Sequence, residues 1–335
     1  MKINKQNLLK ALEIVKPGLA SKELIEQSTS FCFISGSVVT YNDRISVSCP
    51  VEDLELEGAV NAVELYAYIK KVKQDEITAE IEGSEILLKA GRSKVGLTLH
   101  EEIVLPVEEI GEIKKWKPLP DDFAAGLHLT MGSCSRNMSD PVLTCVHINK
   151  DRLEGSDNMR ISDYTLISKV PVKAFLLPAD TCAQVVKMVP SEIAAGEGWV
   201  HFRSPNNGAV LSCRIFEEEY PDVKQFLDVE GTKLTFPKNL PGLIDRAGIF
   251  SKRDHTLDET IEIKIESNKL FVSSKSDSGW FKESVRIDYK GENIEFSITP
   301  YLLQDILKQT FTGVISDNCL LFKGENWKYV SLLKN

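Results

Sequence analysis

The sequence predicts an α+β protein made of repeated units, in which short antiparallel strands outnumber helices. The segments SFCFISGSVVTYNDRISVSCP, EITAEIEGSEILLKAG and IEIKIESNKLFVSSKSD alternate apolar and polar residues around turn residues, which is the pattern of β-hairpins. Six helical segments also recur at nearly equal distances along the chain. Together these observations favour several similar domains over one continuous core.

The helical segments begin near residues 5, 62, 121, 178, 238 and 299, about 57 to 61 residues apart. Asn4 and Asn61 precede the first two segments and are good helix N-caps. Thr299 is a candidate cap for the last segment, and Pro300 suits its first helical position. Each interval holds one helix and about four strands, which is too little to close a core comfortably alone. An even spacing that arises by chance is the alternative.

Two such units per domain give three domains of ordinary size. The sequence therefore predicts domains at residues 1–116, 117–231 and 232–335.

The overall composition is that of a globular protein, with 42% hydrophobic and 27% charged residues in 335. No apolar run approaches the roughly 20 residues of a membrane span, and MKINKQNLLK lacks an apolar signal core, so we expect a cytoplasmic protein without a membrane partner. The seven cysteines are widely spread and form no CxxC pair. Free thiols are therefore expected in preference to disulfides or zinc ligands.

The net charge of −9 is unevenly distributed along the chain. The helical segments hold 13 Lys and Arg against 7 Asp and Glu, which is an excess of +6, and the rest of the chain carries −15. These segments are residues 5–16, 62–73, 121–136, 178–190, 237–253 and 299–310. Basic helices on an acidic β-scaffold suit a protein whose helices face a phosphate backbone. Lysines that only solvate exposed helix faces are the alternative.

A search for catalytic motifs finds no Walker A loop, GxGxxG, GxSxG or HExxH sequence. The five histidines are dispersed. The segment FEEEYPD places Glu217, Glu218 and Glu219 near Asp222, which could indicate the paired carboxylates of a hydrolase or a metal site. A solvated acidic turn is the simpler interpretation. We therefore expect no catalytic residue, no metal and no cofactor.

Several stretches resemble the bacterial and phage sliding clamp family, the beta subunit of DNA polymerase III. Their order and spacing carry the resemblance from end to end of the chain, since no single motif is specific. The stretches are MKINKQNLLKALEIV, ILLKAGRSKVGLTL (86–99), EGSDNMRIS (154–162), RIFEEEYPDVKQFL (214–227) and LFVSSKSDSGWFKESVRIDYKGENIEFSITPYLLQDIL.

The resemblance implies a non-catalytic processivity factor with three repeated clamp domains per subunit. Two subunits would join head to tail as a homodimeric ring, with antiparallel sheets outside and helices lining a central hole. Such a ring holds duplex DNA by topology and needs only weak, sequence-independent phosphate contacts. It tethers the replicative polymerase, and binds the clamp loader, through short peptide motifs. A repetitive β-rich structural or interaction protein without DNA binding is the alternative.

Two sets of residues follow from the resemblance and from the charge pattern. The expected partner-peptide pocket comprises Cys145, Ser156, Asn158, Met159, Arg160, Ile161, Pro221, Gln225, Phe226, Val330 and Leu332, with Arg160 orienting the peptide. The expected DNA-facing residues are Lys5, Lys10, Lys16, Lys22, Lys70, Lys71, Lys73, Arg136, Lys187, Arg246, Lys252, Arg253 and Lys308. Lys22 is placed by the resemblance alone.

The chain also departs from the family pattern at the expected pocket. Asn158 and Met159 replace a Gly-His pair, Gln225 stands where an arginine is usual, and the C-terminal YVSLLKN lacks the usual Met-Pro. The preferred peptide motif is therefore left open, and the divergence would suit a phage-encoded or otherwise specialised clamp.

Overall fold

A computed structural model describes residues 1–111, 113 and 115–334 of the chain. Over these residues the chain forms six α-helices and twenty-four β-strands. The helices are α1 (Lys5–Val15), α2 (Ala62–Lys71), α3 (Phe123–Met131), α4 (Ala179–Met188), α5 (Leu240–Gly248) and α6 (Pro300–Leu307). None of the helices described is long and apolar enough to cross a membrane.

The strands are short, as predicted, and all the strand pairings described below are antiparallel. In chain order they are β1 (Lys2–Asn4), β2 (Ser30–Ile34), β3 (Ser37–Tyr41), β4 (Ile45–Pro50), β5 (Gly58–Asn61), β6 (Glu76–Glu82), β7 (Glu85–Ala90), β8 (Ser93–Thr98), β9 (Lys117–Pro118), β10 (Cys145–Asn149), β11 (Arg152–Ser156), β12 (Arg160–Thr165), β13 (Phe175–Pro178), β14 (Glu192–Ala195), β15 (Trp199–Arg203), β16 (Val210–Arg214), β17 (Thr232–Thr235), β18 (Ile261–Glu266), β19 (Lys269–Ser276), β20 (Gly279–Arg286), β21 (Ile294–Ile298), β22 (Thr312–Ile315), β23 (Cys319–Lys323) and β24 (Trp327–Leu332).

The helix starts confirm the predicted spacing to within two residues. The side chains of Asn4 and Asn61 each accept a hydrogen bond of 3.0 Å from a first-turn N–H group, so both cap as expected. Pro300 occupies the first position of α6. Thr299 occupies the predicted N-cap position of α6, but its side chain makes no capping hydrogen bond, because its hydroxyl donates to the carbonyl of Leu257 at 3.2 Å.

The helices are shorter than the segments used for the charge count. They contain six Lys and Arg and five Asp and Glu, a net charge of only +1. Lys16 begins a short 3-10 helix after α1, and Lys73, Arg136 and Lys252 lie in the loops that follow the helices. The predicted positive charge therefore belongs mainly to the helix ends and the turns beside them.

The chain divides into two compact units. The first comprises Met1–His128, Ile148–Asp151 and Ile167–Glu218, and the second comprises Leu129–His147, Arg152–Leu166 and Glu219–Asn335. Residues of the expected middle domain fall in both units. The division into three domains stays a prediction.

The first unit contains a four-stranded sheet, in the order β1-β6-β7-β8, and an eight-stranded sheet, in the order β5-β2-β3-β4-β16-β15-β14-β9. Strand β4 pairs with β16 over four residue pairs, from Val210↔Ser48 to Cys213↔Ile45. This pairing joins strands of residues 30–61 to strands of residues 117–214 in one continuous sheet. The junction between the first two expected domains is thus an edge-to-edge strand pairing.

The second unit also contains a large sheet and a four-stranded sheet. Six of its strands form the order β11-β12-β24-β23-β22-β17, and a four-stranded sheet has the order β20-β19-β18-β21. Strands β12 and β24 pair over five residue pairs, from Arg160↔Ser331 to Tyr164↔Trp327. The core of this unit lies between the sheets and the helices α5 and α6, with Phe236, Phe322 and Leu240 among its fully buried residues.

Candidate functional site

The residues expected to bind a partner peptide all lie in the second unit, where the structure separates them into an interior and a surface group. Cys145 is fully buried, and its Sγ lies 3.6 Å from the carbonyl oxygen of Pro141. Ser156 is also buried, and its hydroxyl donates to the carbonyl of Arg160 at 2.9 Å. Cys145 and Ser156 therefore support the strands of the site without lining a surface.

Arg160 is buried as well, with 7% of its surface exposed. Its Nε donates to Oδ2 of Asp157 at 3.0 Å, and its Nη1 lies 3.6 Å from Oδ2 of Asp305. The guanidinium also lies over the ring of Tyr301, 5.1 Å from the centroid. The guanidinium therefore faces the interior of the unit, and the peptide-orienting role of Arg160 stays a prediction.

The turn before β12 is built around Asp157. Its Oδ1 accepts hydrogen bonds from the backbone N–H groups of Met159 (3.1 Å) and Arg160 (3.0 Å). Burial raises the pKa of Asp157, and the neighbouring Arg160 only partly opposes this. Asn158 adopts a left-handed conformation with φ of +67°. Asparagine tolerates this region best after glycine, which explains how it replaces the glycine of the family turn.

The surface group surrounds what we call the apolar cluster. Its members lie on the outer side of β12, β22, β23 and β24 and on the segment before β17: the buried Leu227, Leu321 and Val330, with Ile161, Val229, Val314 and Cys319 packed against them. Ile161 and Val330 are direct cross-strand partners. The sequence analysis named these two residues as pocket candidates and did not name the other five. The signal was available, because CLLF in β23 is apolar on both faces, as expected for a strand covered on both sides.

Exposed side chains flank the apolar cluster. Phe226 is 55% exposed and Leu332 is 42% exposed. Met159 is half-buried, and its carbonyl accepts a hydrogen bond of 2.8 Å from the N–H of Leu332. Asn158, Pro221 and Gln225 are exposed. The site therefore offers an apolar floor with adaptable side chains at its rim, which suits a short peptide with apolar anchors.

The acidic side chains of the segment FEEEYPD lie at the surface. Glu217, Glu218 and Glu219 are exposed, and Oδ1 of Asp222 accepts the N–H of Lys224 at 3.1 Å. Across the part of the chain that the structure describes, no three His, Cys, Asp or Glu side chains are grouped so as to hold a metal ion. The geometry agrees with a solvated turn.

The basic residues near α1 and α2 are gathered in the first unit. Nζ of Lys16 lies 4.7 Å from the centroid of the Tyr66 ring, and Nζ of Lys70 lies 5.6 Å from it. Among the described residues, no carboxylate lies within 4.0 Å of the lysines expected to face DNA in this region. They are Lys5, Lys10, Lys16, Lys22, Lys70, Lys71 and Lys73.

In the second unit, most of the expected DNA-facing residues form ion pairs with carboxylates. Arg246 pairs with Glu283 at 2.8 Å, Lys252 with Glu259 at 3.0 Å and Lys308 with Asp305 at 2.9 Å. These three side chains are therefore less available to bind phosphate than the sequence predicts.

The three remaining DNA-facing residues are all exposed. The guanidinium of Arg253 donates to the carbonyls of Lys252 and Lys275. Arg136 lies in the loop after α3, and Lys187 lies in the last turn of α4. Of the residues expected to face DNA, those of the first unit therefore lack a carboxylate partner among the described residues, whereas three of the five in the second unit have one.

Comparison with known proteins gave matches only at the level of structure. No protein-family model and no curated protein matches the sequence. A sliding clamp (DNA polymerase III subunit beta) from Bartonella birtlesii bound to griselimycin is similar with a TM-score of 0.88 at 17% identity, covering 100% of this chain and 99% of that one.

Two further structures agree. The sliding clamp from Pseudomonas aeruginosa bound to griselimycin gives a TM-score of 0.86 at 18% identity, over 100% of this chain and 99% of that one. The DNA polymerase III beta subunit from Thermotoga maritima gives 0.83 at 17%, over 100% and 98%. The α+β class and the end-to-end resemblance are confirmed, and this chain has the fold of the DNA polymerase III beta sliding clamps.

Proposed function

We propose that this protein is a DNA sliding clamp, a cytoplasmic and non-catalytic processivity factor that encircles duplex DNA and tethers a polymerase. The observation that carries the proposal is the similarity to sliding clamps over essentially the whole of both chains. The fold is matched over the full length of this chain although only about 18% of the residues are identical. A structural β-rich protein without DNA binding would not need this architecture.

The charge distribution supports weak DNA contact. The unpaired lysines near α1 and α2 belong to a chain of net charge −9, so attraction to phosphate would be local. Phosphate contacts of this kind carry no sequence information and permit sliding. A closed ring would hold the DNA by enclosing it, so the phosphate contacts need not be strong.

The free sheet edges support the proposed homodimer. Strands β8 and β20 are edge strands of the two four-stranded sheets and, among the described strands, each pairs on one side only. Both alternate in exposure, with Val95, Leu97, Phe281 and Val285 half-buried on the inner side. Pairing β8 of one subunit with β20 of a second would repeat the β4–β16 and β12–β24 junctions and cover both edges. A head-to-tail dimer closes when both such junctions form.

Retention on circular DNA tests the proposed function. After loading by a clamp loader, the protein should remain on nicked circular duplex through gel filtration and should be lost within minutes when a restriction enzyme linearises the circle. Enclosure explains this difference, because a ring slides off free ends. Equal retention on circular and linear DNA would indicate ordinary binding, and no retention on either would favour the structural alternative.

We further propose that the apolar cluster and its rim bind the short peptide motifs of the polymerase and clamp loader. The double variant Met159→Ala and Leu332→Ala should weaken binding of a polymerase-tail peptide about tenfold or more, because two apolar contacts at the rim are lost. Fluorescence anisotropy of a labelled peptide measures this. The matched control is Leu24→Ala, which removes a leucine that is 92% exposed in the other unit.

A second readout uses the thiol within the apolar cluster. Six of the seven cysteines are buried, whereas Cys319 is partly exposed. Bound peptide should therefore slow the alkylation of Cys319 by iodoacetamide. Unchanged peptide affinity in the double variant together with unprotected Cys319 would remove this site while leaving the proposed ring intact.

A further inference from the structure

The outer face of β19 and β20 has an unusual composition. The two strands pair over eight residues, from Lys269↔Arg286 to Ser276↔Gly279. Their inner residues, such as Leu270 and Val272, pack in the core of the second unit. The residues that alternate with these point outward. They are Lys269, Phe271, Ser273 and Lys275 on β19, and Trp280, Lys282, Ser284 and Arg286 on β20.

The outward residues form a cationic surface on an acidic protein. Four of the eight are Lys or Arg, and no carboxylate of the described residues lies within 4.0 Å of their charged nitrogens. The only carboxylate in the two strands, Glu283, lies on the inner side and is bound by Arg246 of α5 at 2.8 Å. Lys269 and Arg286 are direct cross-strand partners, which places two like charges side by side. The partner of Lys269 on its other side is Glu266, which is itself paired with Lys264 at 2.9 Å.

Two aromatic side chains lie among these cations. Trp280 is 71% exposed, which is exceptional for the largest side chain of a soluble protein. Phe271 is half-buried, and Nζ of Lys282 lies 5.5 Å from the centroid of its ring. The surface therefore combines flat apolar rings with positive charge and with the hydroxyl of Ser284, whereas the hydroxyl of Ser273 donates to Glu262 of β18 at 3.2 Å.

We propose that this face binds single-stranded DNA, with bases stacking on Trp280 and phosphates contacting the surrounding Lys and Arg. Base–aromatic stacking beside a basic track is how single strands are held without sequence preference. Duplex DNA fits less well, because its bases are already stacked and cannot cover an indole. An acidic peptide would satisfy the cations but would leave Trp280 without a flat partner.

The size and position of the face fit this ligand. Eight residues of strand span about 27 Å, which is enough for a few nucleotides. Edge-to-edge pairing of β20 with a second subunit uses backbone groups, so the outward side chains would stay accessible in the proposed dimer. The choice of DNA over RNA as the ligand rests on the proposed function. Binding of a single strand to this face does not require that the protein form a ring.

Anisotropy of a labelled twelve-nucleotide oligo-thymidine, titrated with the full chain at several salt concentrations, tests the proposal. Trp280→Ala should weaken binding about tenfold, and Trp280→Phe should restore part of the loss. Replacing Lys269, Lys282 and Arg286 by Gln should lower the slope of log affinity against log salt by about 2, or roughly 0.7 for each phosphate contact. Wild-type tryptophan emission should fall on binding, and that of Trp280→Phe should change less.

The matched control is Lys264→Gln. Lys264 lies on the same face, directly across from Phe271, but it is paired with Glu266 at 2.9 Å, so its loss should leave affinity and salt slope unchanged. Equal binding by wild type and Trp280→Ala would overturn the proposal, as would tighter binding of oligo-uridine or full displacement by poly-glutamate. Retention on circular DNA does not depend on this face, so failure here leaves the clamp proposal standing, and the reverse also holds.

Discussion

Replacing Arg160 with alanine is expected to destabilise the second unit by about 3–5 kcal/mol, the usual result of breaking a buried ion pair from one side. The side chains of Arg160 and Asp157 are only 7% and 6% exposed. Without the guanidinium, a carboxylate whose pKa burial already raises would have no buried cation beside it. Urea unfolding gives the free energy, and amide hydrogen exchange should show faster opening of β12 and β24 than of β15 and β16.

Two variants show whether the effect is that of a buried, planar cation. Arg160→Lys keeps the charge but loses the forked geometry that reaches Asp157 and lies over Tyr301, so most of the destabilisation should remain. Arg246→Ala breaks an exposed pair with Glu283 and should leave stability close to that of the wild type. If Arg160→Ala instead kept wild-type stability and only weakened peptide binding, the original assignment of Arg160 to the peptide would be correct.

Much of the fold could be predicted because its signals are local. Asn4 and Asn61 mark helix starts through a side-chain oxygen that caps the first turn, and the alternation in β18 and β19 follows from one buried face. Repetition of these signals at even spacing predicted where the six helices begin. The same locality explains why the N-cap position of Thr299 was predicted but its side-chain bond was not, since its hydroxyl donates to the distant residue Leu257.

The candidate site was harder to predict because tertiary contacts decide what each side chain does. An arginine in a turn has the same sequence signature whether it faces solvent or, like Arg160, lies between Asp157 and Tyr301. Val314 and Leu321 come from different strands and become one surface with Leu227 only in the folded unit. The charge count likewise could not foresee that Arg246 and Lys308 would find carboxylates.

The proposed dimer gives the prediction with the largest functional effect, since a ring either closes or does not. Leu97 faces the inner side of β8, where the edge would meet β20 of a second subunit. Leu97→Asp should place a carboxylate in that apolar layer and weaken the dimer at least about a hundredfold. Light scattering should then report the mass of one chain at micromolar concentration, and retention on nicked circular DNA should fall to background.

Thr98→Asp is the matched control, because the next residue of the same strand is exposed on the opposite side. A carboxylate there stays in water, so both the dimer and DNA retention should persist. Equal disruption by the two variants would indicate that β8 has lost its strand structure, which amide exchange of β7 and β8 would reveal. A stable dimer in both variants would mean that the subunits join elsewhere, because an unpaired charge cannot be accommodated in a closed apolar layer without a measurable cost in affinity.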